Sequence, residues 1–163
     1  MSKIIDLRSD TVTLPTDEMR EAIINAKLGD DVFCEDPTVN ELEKKAAEIM
    51  GKESGLLVPS GTMGNLVSIL VHCQRGTEII LGDKSHTFIY EAGGISAFGS
   101  IHSRQLINQI DGTIEIDDIQ SAIRTDNVHF PITSAIALEN THNLCNGAPL
   151  SPDYIKNVAL IAK

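Results

Sequence analysis

With 163 residues, 42% of them hydrophobic and 22% charged, the chain has the balance of a globular protein, which excludes a disordered or fibrous one. A chain of this length buries on the order of two-thirds of its unfolded surface, enough for one core. Thirteen Lys plus Arg against 23 Asp plus Glu leave a net charge of −10 with no basic cluster, which argues against nucleic acid and anionic membranes as partners.

The first stretch, Ile4 to Leu14, lacks helical periodicity and reads as an extended arm. Thr16 is placed to cap a helix whose first turn carries Asp17 and Glu18, with Met19, Ala22 and Ile23 along one side. The polar run Gly29 to Pro37 interrupts it. Thr38 then opens a second helix, with Glu41 completing a capping box and Val39, Leu42, Ala46, Ile49 and Met50 forming an apolar stripe that stops at Gly51. From Gly55 onward, short apolar runs alternate with helical segments. Gly55–Val58, Glu78–Leu81, Ser100–Leu106 and Ser134–Leu138 are expected strands. Met63–Cys73, a segment over Thr87–Ala97, Asp117–Arg124 and Ser151–Ala162 are expected to be helical, the last opened by Pro152.

Strand and helix in alternation imply right-handed crossovers and a largely parallel sheet. No repeat, linker or low-complexity tract divides the sequence. The expectation is therefore one continuous but incomplete α/β domain, with an arm over 1–15, helices over 16–51 and alternating strands and helices over 52–163. The last helix runs to Lys163 with no glycine stop and no strand behind it.

The most informative local feature is Pro59-Ser60-Gly61-Thr62-Met63-Gly64-Asn65, between a strand and a helix. Such a turn aims free backbone N–H groups and the positive end of the helix dipole at one spot, as a phosphate requires; the same residues also make an ordinary helix cap. The turn lacks the Gly-Lys-Ser/Thr ending of a nucleoside triphosphate loop and the spacing of a dinucleotide fingerprint, so any phosphate here is single. His86 follows the second expected strand, and ligands of open α/β sheets bind beyond the carboxyl ends of strands, where it can reach a cofactor phosphorylated at the Ser60 turn.

The other histidines, His72, His102, His129 and His142, show no metal-like pairing, and no metal site is expected. Glu35 with Asp36, Asp117 with Asp118, and Glu139 invite an acid or base role, but the first two pairs read rather as loop or first-turn carboxylates. Cys34, Cys73 and Cys145 are an odd set without metal-ligand spacing, which suits reduced thiols in the cytoplasm. The beginning of the sequence has no leader-like apolar run, and no stretch is apolar for long enough to span a bilayer.

Several strings together resemble one family. They are Asp6-Leu7-Arg8-Ser9-Asp10-Thr11-Val12-Thr13, Gly29-Asp30-Asp31-Val32 with Glu35-Asp36-Pro37-Thr38, Val58 to Asn65, and His86 with Tyr90-Glu91. Asn127 to Pro131 and Glu139-Asn140-Thr141-His142-Asn143 complete the set. In that order they resemble the low-specificity L-threonine aldolases, fold-type-I pyridoxal-phosphate enzymes, over essentially the whole chain.

The resemblance implies part of a PLP-transferase large domain of the aspartate-aminotransferase kind, lacking its C-terminal portion, and pyridoxal 5′-phosphate as cofactor. It implies aldol cleavage of L-threonine or L-allo-threonine to glycine and acetaldehyde, the cofactor serving as electron sink. Ser60, Gly61 and Thr62 would hold the phosphate, His86 would stack on the pyridine ring, and Ser9 would help bind the substrate carboxylate. His86 or His129 would take the β-hydroxyl proton.

A cytoplasmic homotetramer is implied, with an amino acid as the small-molecule partner. The family's Schiff-base lysine is expected beyond residue 163; neither Lys84 nor Lys163 matches it, so the chain alone is expected to be inactive. Departures from the family pattern fall at Phe33-Cys34, Ile132 and Leu144-Cys145-Asn146. A related β-eliminating lyase on the same scaffold, or a subunit-interaction fragment, are the alternatives.

Overall fold

A computed structural model describes residues 4–162, so the expectation for Lys163 lies outside the described residues. The chain divides into two compact units, one up to Pro59 and one from Ser60 onward.

In the first unit Ile4–Leu14 forms neither α-helix nor strand and makes one 3-10 turn over Asp10–Val12. Helix α1 spans Asp17–Asn25, capped by Thr16, whose Oγ1 accepts the Met19 N–H at 3.2 Å. Helix α2 spans Pro37–Met50 and stops at Gly51, which takes the left-handed conformation (φ 61°) that glycine tolerates.

Its start differs from the expectation. Asp36, not Thr38, is the cap: one carboxylate oxygen accepts the N–H groups of Thr38 and Val39, at 2.9 and 3.0 Å, and Pro37 occupies the first turn. Proline lacks an N–H that would find no intrahelical partner at a helix start, and its fixed φ is already helical, so it is favoured one step inside the cap. The Thr38 hydroxyl instead donates to the Lys27 carbonyl at 2.7 Å.

The expected stripe of α2 is solvated rather than buried. Leu42, Ile49 and Met50 are exposed, and Ala47 with Asp36 are the buried residues among those described in this unit. The expected strand at Gly55–Val58 does not form. Leu57 gives its N–H to the Glu43 side chain at 2.7 Å instead of to a ladder partner, and Leu56 is 73% exposed. An apolar run becomes a strand only when a neighbouring strand takes its backbone groups.

The second unit is built on three parallel strands: β1 (Glu78–Gly82), β2 (His102–Leu106) and β3 (Thr133–Ile136), in the order β2-β1-β3. The central strand is buried along its whole length. Helix α3 (Gly61–His72) and the single turn α5 (Gly94–Ala97) cover one face, where Ile69, Cys73 and Ile95 pack on Ile79, Leu81 and Ile101. Helices α6 (Ile116–Ala122) and α7 (Pro152–Ile161) meet around Ile114, Ile119 and Val158, against Leu106, Ile136 and Leu138. Successive side chains of a strand point to opposite faces, so one apolar run serves both layers.

The expected segment over 87–97 resolves into two separate turns, α4 (His86–Ile89) and α5, because Ala92 and Gly93 turn left-handed between them (φ 51° and 67°). Among the described residues no helix is long and apolar enough to cross a membrane, and no group of three or more His, Cys, Asp or Glu could hold a metal ion.

A candidate active site at the carboxyl end of the central strand

The chain leaves β1 through Gly82-Asp83-Lys84-Ser85, and this turn is latched to the end of β2. Asn108, itself buried, accepts the Lys84 N–H at 3.0 Å through its side chain and donates its backbone N–H to Asp83 Oδ1 at 2.8 Å. Asp83 N–H donates to the Leu106 carbonyl at 2.7 Å. The side chain of Asn108 fills the space where a Cβ on Gly82 would lie, so that position must be glycine. Ser85 is buried, and His86 begins α4 with its ring about half exposed, in the position beyond the strand end that the sequence predicts.

His86 is held from two sides. Its backbone N–H donates to Glu139 Oε2 at 2.7 Å, just past β3. Its Nδ1 lies 3.0 Å from Glu91 Oε1, and the same oxygen accepts the Asn65 amide at 2.7 Å. A carboxylate only accepts hydrogen bonds, so this contact calls for a proton on Nδ1, and in the neutral imidazole Nε2 then keeps its lone pair. Tyr90, one turn on, tilts against the His86 ring with centroids 5.5 Å apart. Asn65, Ser85, His86, Thr87, Glu139 and Asn140 lie around one open cavity of about 210 Å³.

Asn65 stands one helical turn past Gly61 on α3, which brings the amino end of that helix to the same side as the cavity. Ser60 caps α3, its Oγ accepting the Met63 N–H at 3.1 Å, while the Gly64 N–H returns to the Ser60 carbonyl. The N–H groups of Gly61 and Thr62 have no hydrogen-bond partner among the described residues, and a Cβ built on Gly61 would meet nothing within 4 Å. Two free amides, a helix dipole and open space fit a single phosphate. Ser60 accepts the Met63 N–H as the cap of this turn, and that bond leaves its hydroxyl proton available to donate.

Of the remaining expected residues, His129 does not line this cavity. His129 is exposed in a turn ahead of β3, at the amino end of the strands, with its N–H on Asn127 Oδ1 at 2.9 Å. Ser9 caps the short 3-10 turn of the first unit, and its Oγ accepts the Thr11 N–H at 3.2 Å. Of the paired acids, Asp36 is a helix cap whose carboxyl is held below the usual range by the N–H groups of Val39, Gly29 and Thr38.

Sequence reasoning gave no role to Glu91 or Asn65 and marked Glu139 only as a possible acid or base, although each stands in a string quoted above. Glu91 follows His86 by little more than a helical turn, a spacing that can bring an acid to an imidazole. The Asn65 and Glu139 contacts bridge 26 and 53 residues, and no local pattern reports them.

The chain is 53% identical over 164 residues to the "Probable low-specificity L-threonine aldolase 2" of Arabidopsis thaliana, a match covering 99% of this chain and 46% of that protein. It is 46% identical over 153 residues to the "Low specificity L-threonine aldolase" of Escherichia coli K12, covering 94% of this chain and 45% of the relative. The chain thus spans about half the length of the curated relatives it matches.

A crystal structure of a "putative L-allo-threonine aldolase" from Listeria monocytogenes EGD-E superposes with a TM-score of 0.69 at 23% identity, over 86% of this chain and 38% of that one, a likeness of fold. The α/β class with its parallel sheet is therefore as expected, and it is part of a larger fold. The beta-eliminating lyase family model matches residues 6–163, and the chain belongs to that family.

Proposed function

We propose that the full-length protein carrying this chain is a pyridoxal-phosphate-dependent carbon–carbon lyase that cleaves L-threonine or L-allo-threonine to glycine and acetaldehyde. The observation that carries the reading is the His86 ring at the mouth of the cavity, its Nδ1 tied to the buried carboxylate of Glu91 and its Nε2 free. The aldolase relatives point the same way.

When bound, pyridoxal phosphate supplies an electron sink for the pair left on Cα as the Cα–Cβ bond breaks. The N–H groups of Gly61 and Thr62 and the hydroxyl of Ser60 would take its phosphate. The face of the His86 ring would lie against the pyridine. Nε2 of His86 would accept the β-hydroxyl proton, and Glu91 would stabilise the imidazolium that results, because the carboxylate is already in place when the charge forms. Ser9 would bind the substrate carboxylate.

His129 is the second candidate for the proton, and separate substitutions discriminate the two. A cytoplasmic homo-oligomer, a tetramer when complete, is part of the proposal. Support comes from the three free cysteines and from large apolar side chains left exposed, such as Val128 and Leu28.

The test uses the protein at the full length of its relatives, supplied with pyridoxal phosphate and L-threonine. Glycine and acetaldehyde should appear in equal amounts, and His86→Ala should lower kcat by roughly 10²- to 10⁴-fold. His129→Ala should cost less. No acetaldehyde from either threonine epimer, or pyruvate from serine in its place, would overturn the proposal. The 163-residue chain alone should release none.

A further inference from the structure

His142 is fully buried, and neither of its ring nitrogens has a hydrogen-bond partner among the described residues. Leaving both nitrogens idle in the interior costs free energy, and an apolar side chain would fill the same space without that cost. The ring is wedged. Gly112, held at φ 82°, packs on it so closely that an added Cβ would come within 2.9 Å of the His142 Cβ and 3.4 Å of its Cγ. The backbone of His142 is also tied down: its N–H donates to the Ala148 carbonyl at 3.0 Å, and its carbonyl accepts from Cys145 and Gly147 at 3.1 and 2.9 Å.

What the ring faces is Glu139. Nδ1 stands 3.7 Å from Glu139 Oε1, longer than a hydrogen bond and within reach of one after a small shift. The same carboxylate seats His86: Oε2 accepts the His86 N–H at 2.7 Å, and Oε1 accepts the Asn143 N–H at 3.0 Å. Glu139 lies on the cavity wall, with 17% of its side chain exposed, so a rotation toward solvent would release His86. A donor behind it opposes that rotation.

We propose that His142 is a positioning residue: its Nδ1–H is directed at Glu139 and restrains the carboxylate that seats His86. The inference rests on the reading of the His86 cavity as the active site, but its test needs neither cofactor nor turnover.

In the ¹⁵N-labelled chain, long-range ¹H–¹⁵N spectra of the histidine rings should show the His142 proton on Nδ1. A proton on Nε2 alone would overturn the proposal without any variant having to fold. In parallel, hydrogen exchange of the His86 amide reports on its bond to Glu139. His142→Leu should speed it about tenfold, the loss of roughly one hydrogen bond, while the Ile80 amide of β1 is unchanged. His142→Asn, which puts a donor near the place of Nδ1, should restore slow exchange.

If leucine leaves the His86 amide as slow as in the parent, or if leucine and asparagine behave alike, the proposal fails. Loss of aldolase activity in the full-length protein would leave this result untouched, and the reverse also holds.

Discussion

Replacing Arg124 with methionine should destabilise the second unit more than replacing the carboxylate it pairs with. Glu78 opens the central strand and has no exposed surface, yet two arginines, a histidine and a hydroxyl surround it. Arg124 donates to it from Nε and Nη2 at 3.3 and 3.2 Å, with Arg104 Nη1 at 3.7 Å, His102 Nε2 at 3.5 Å and the Thr133 hydroxyl at 3.4 Å. Removing one partner of a buried pair typically costs about 3–5 kcal/mol, because a charge is left without compensation in a medium that solvates it poorly. Arg104 stays as a second cation, so the cost here should fall to about 2–3 kcal/mol. Arg124 also stacks on Phe130, 5.1 Å from the ring centre, which contributes about 0.5–1 kcal/mol of that figure.

The opposite change is milder. Glu78→Met leaves two arginines whose side chains are 28% and 29% exposed and can turn to water, so about 1–2 kcal/mol is expected. The double variant Glu78→Met/Arg124→Met should therefore be more stable than Arg124→Met alone. Urea titrations followed by circular dichroism measure all three. A double variant as unstable as the sum of the singles, or an Arg124→Met within about 0.5 kcal/mol of the parent, would refute the reasoning.

Tyr154 closes a ring of two hydrogen bonds with Ile114, its hydroxyl accepting the N–H and donating to the carbonyl, each at 2.8 Å. Tyr154→Phe should cost about 1–3 kcal/mol in the same titration, since it orphans a buried amide. Burial pushes the Tyr154 phenol above its ordinary value, so its contribution is fully present below the unfolded pKa of about 10 and is lost as pH rises through the folded one. The parent's stability should fall across that alkaline range more steeply than that of Tyr154→Phe. Asp36 has the opposite sign. Its depressed carboxyl stabilises α2 above the unfolded value near 3.8, and that stability is lost as pH falls through the lower folded one. Exchange of the Val39 and Gly29 amides should accelerate there, and Asp36→Asn should flatten the profile.

The parts legible from sequence were those where a local pattern and its tertiary use coincide. Ile79–Leu81 is an unbroken apolar run because β1 is covered on both faces, and Ser151-Pro152 marks the start of α7 because capping chemistry is local. The Asp36 cap was hidden by a competing signal: Thr38 and Glu41 satisfy the capping-box pattern, while a proline one step earlier already fixes the helix start. Gly55–Val58 misled because alternation and apolarity do not reveal whether a ladder partner exists. At the site, His86 was readable from its place after a strand and from the family resemblance. The Asn65, Glu91 and Glu139 network was not, since those side chains meet only once the sheet has brought α3, α4 and the end of β3 together.

The central claim is that the amino end of α3 and the His86 ring form one cofactor site. Amide spectra of the ¹⁵N-labelled chain titrated with pyridoxal 5′-phosphate, with unphosphorylated pyridoxal as control, test it most directly. The account predicts shifts gathered at Gly61, Thr62 and His86, with those of Gly61 and Thr62 absent for pyridoxal. Shifts confined to other residues, or none at millimolar ligand, would contradict it.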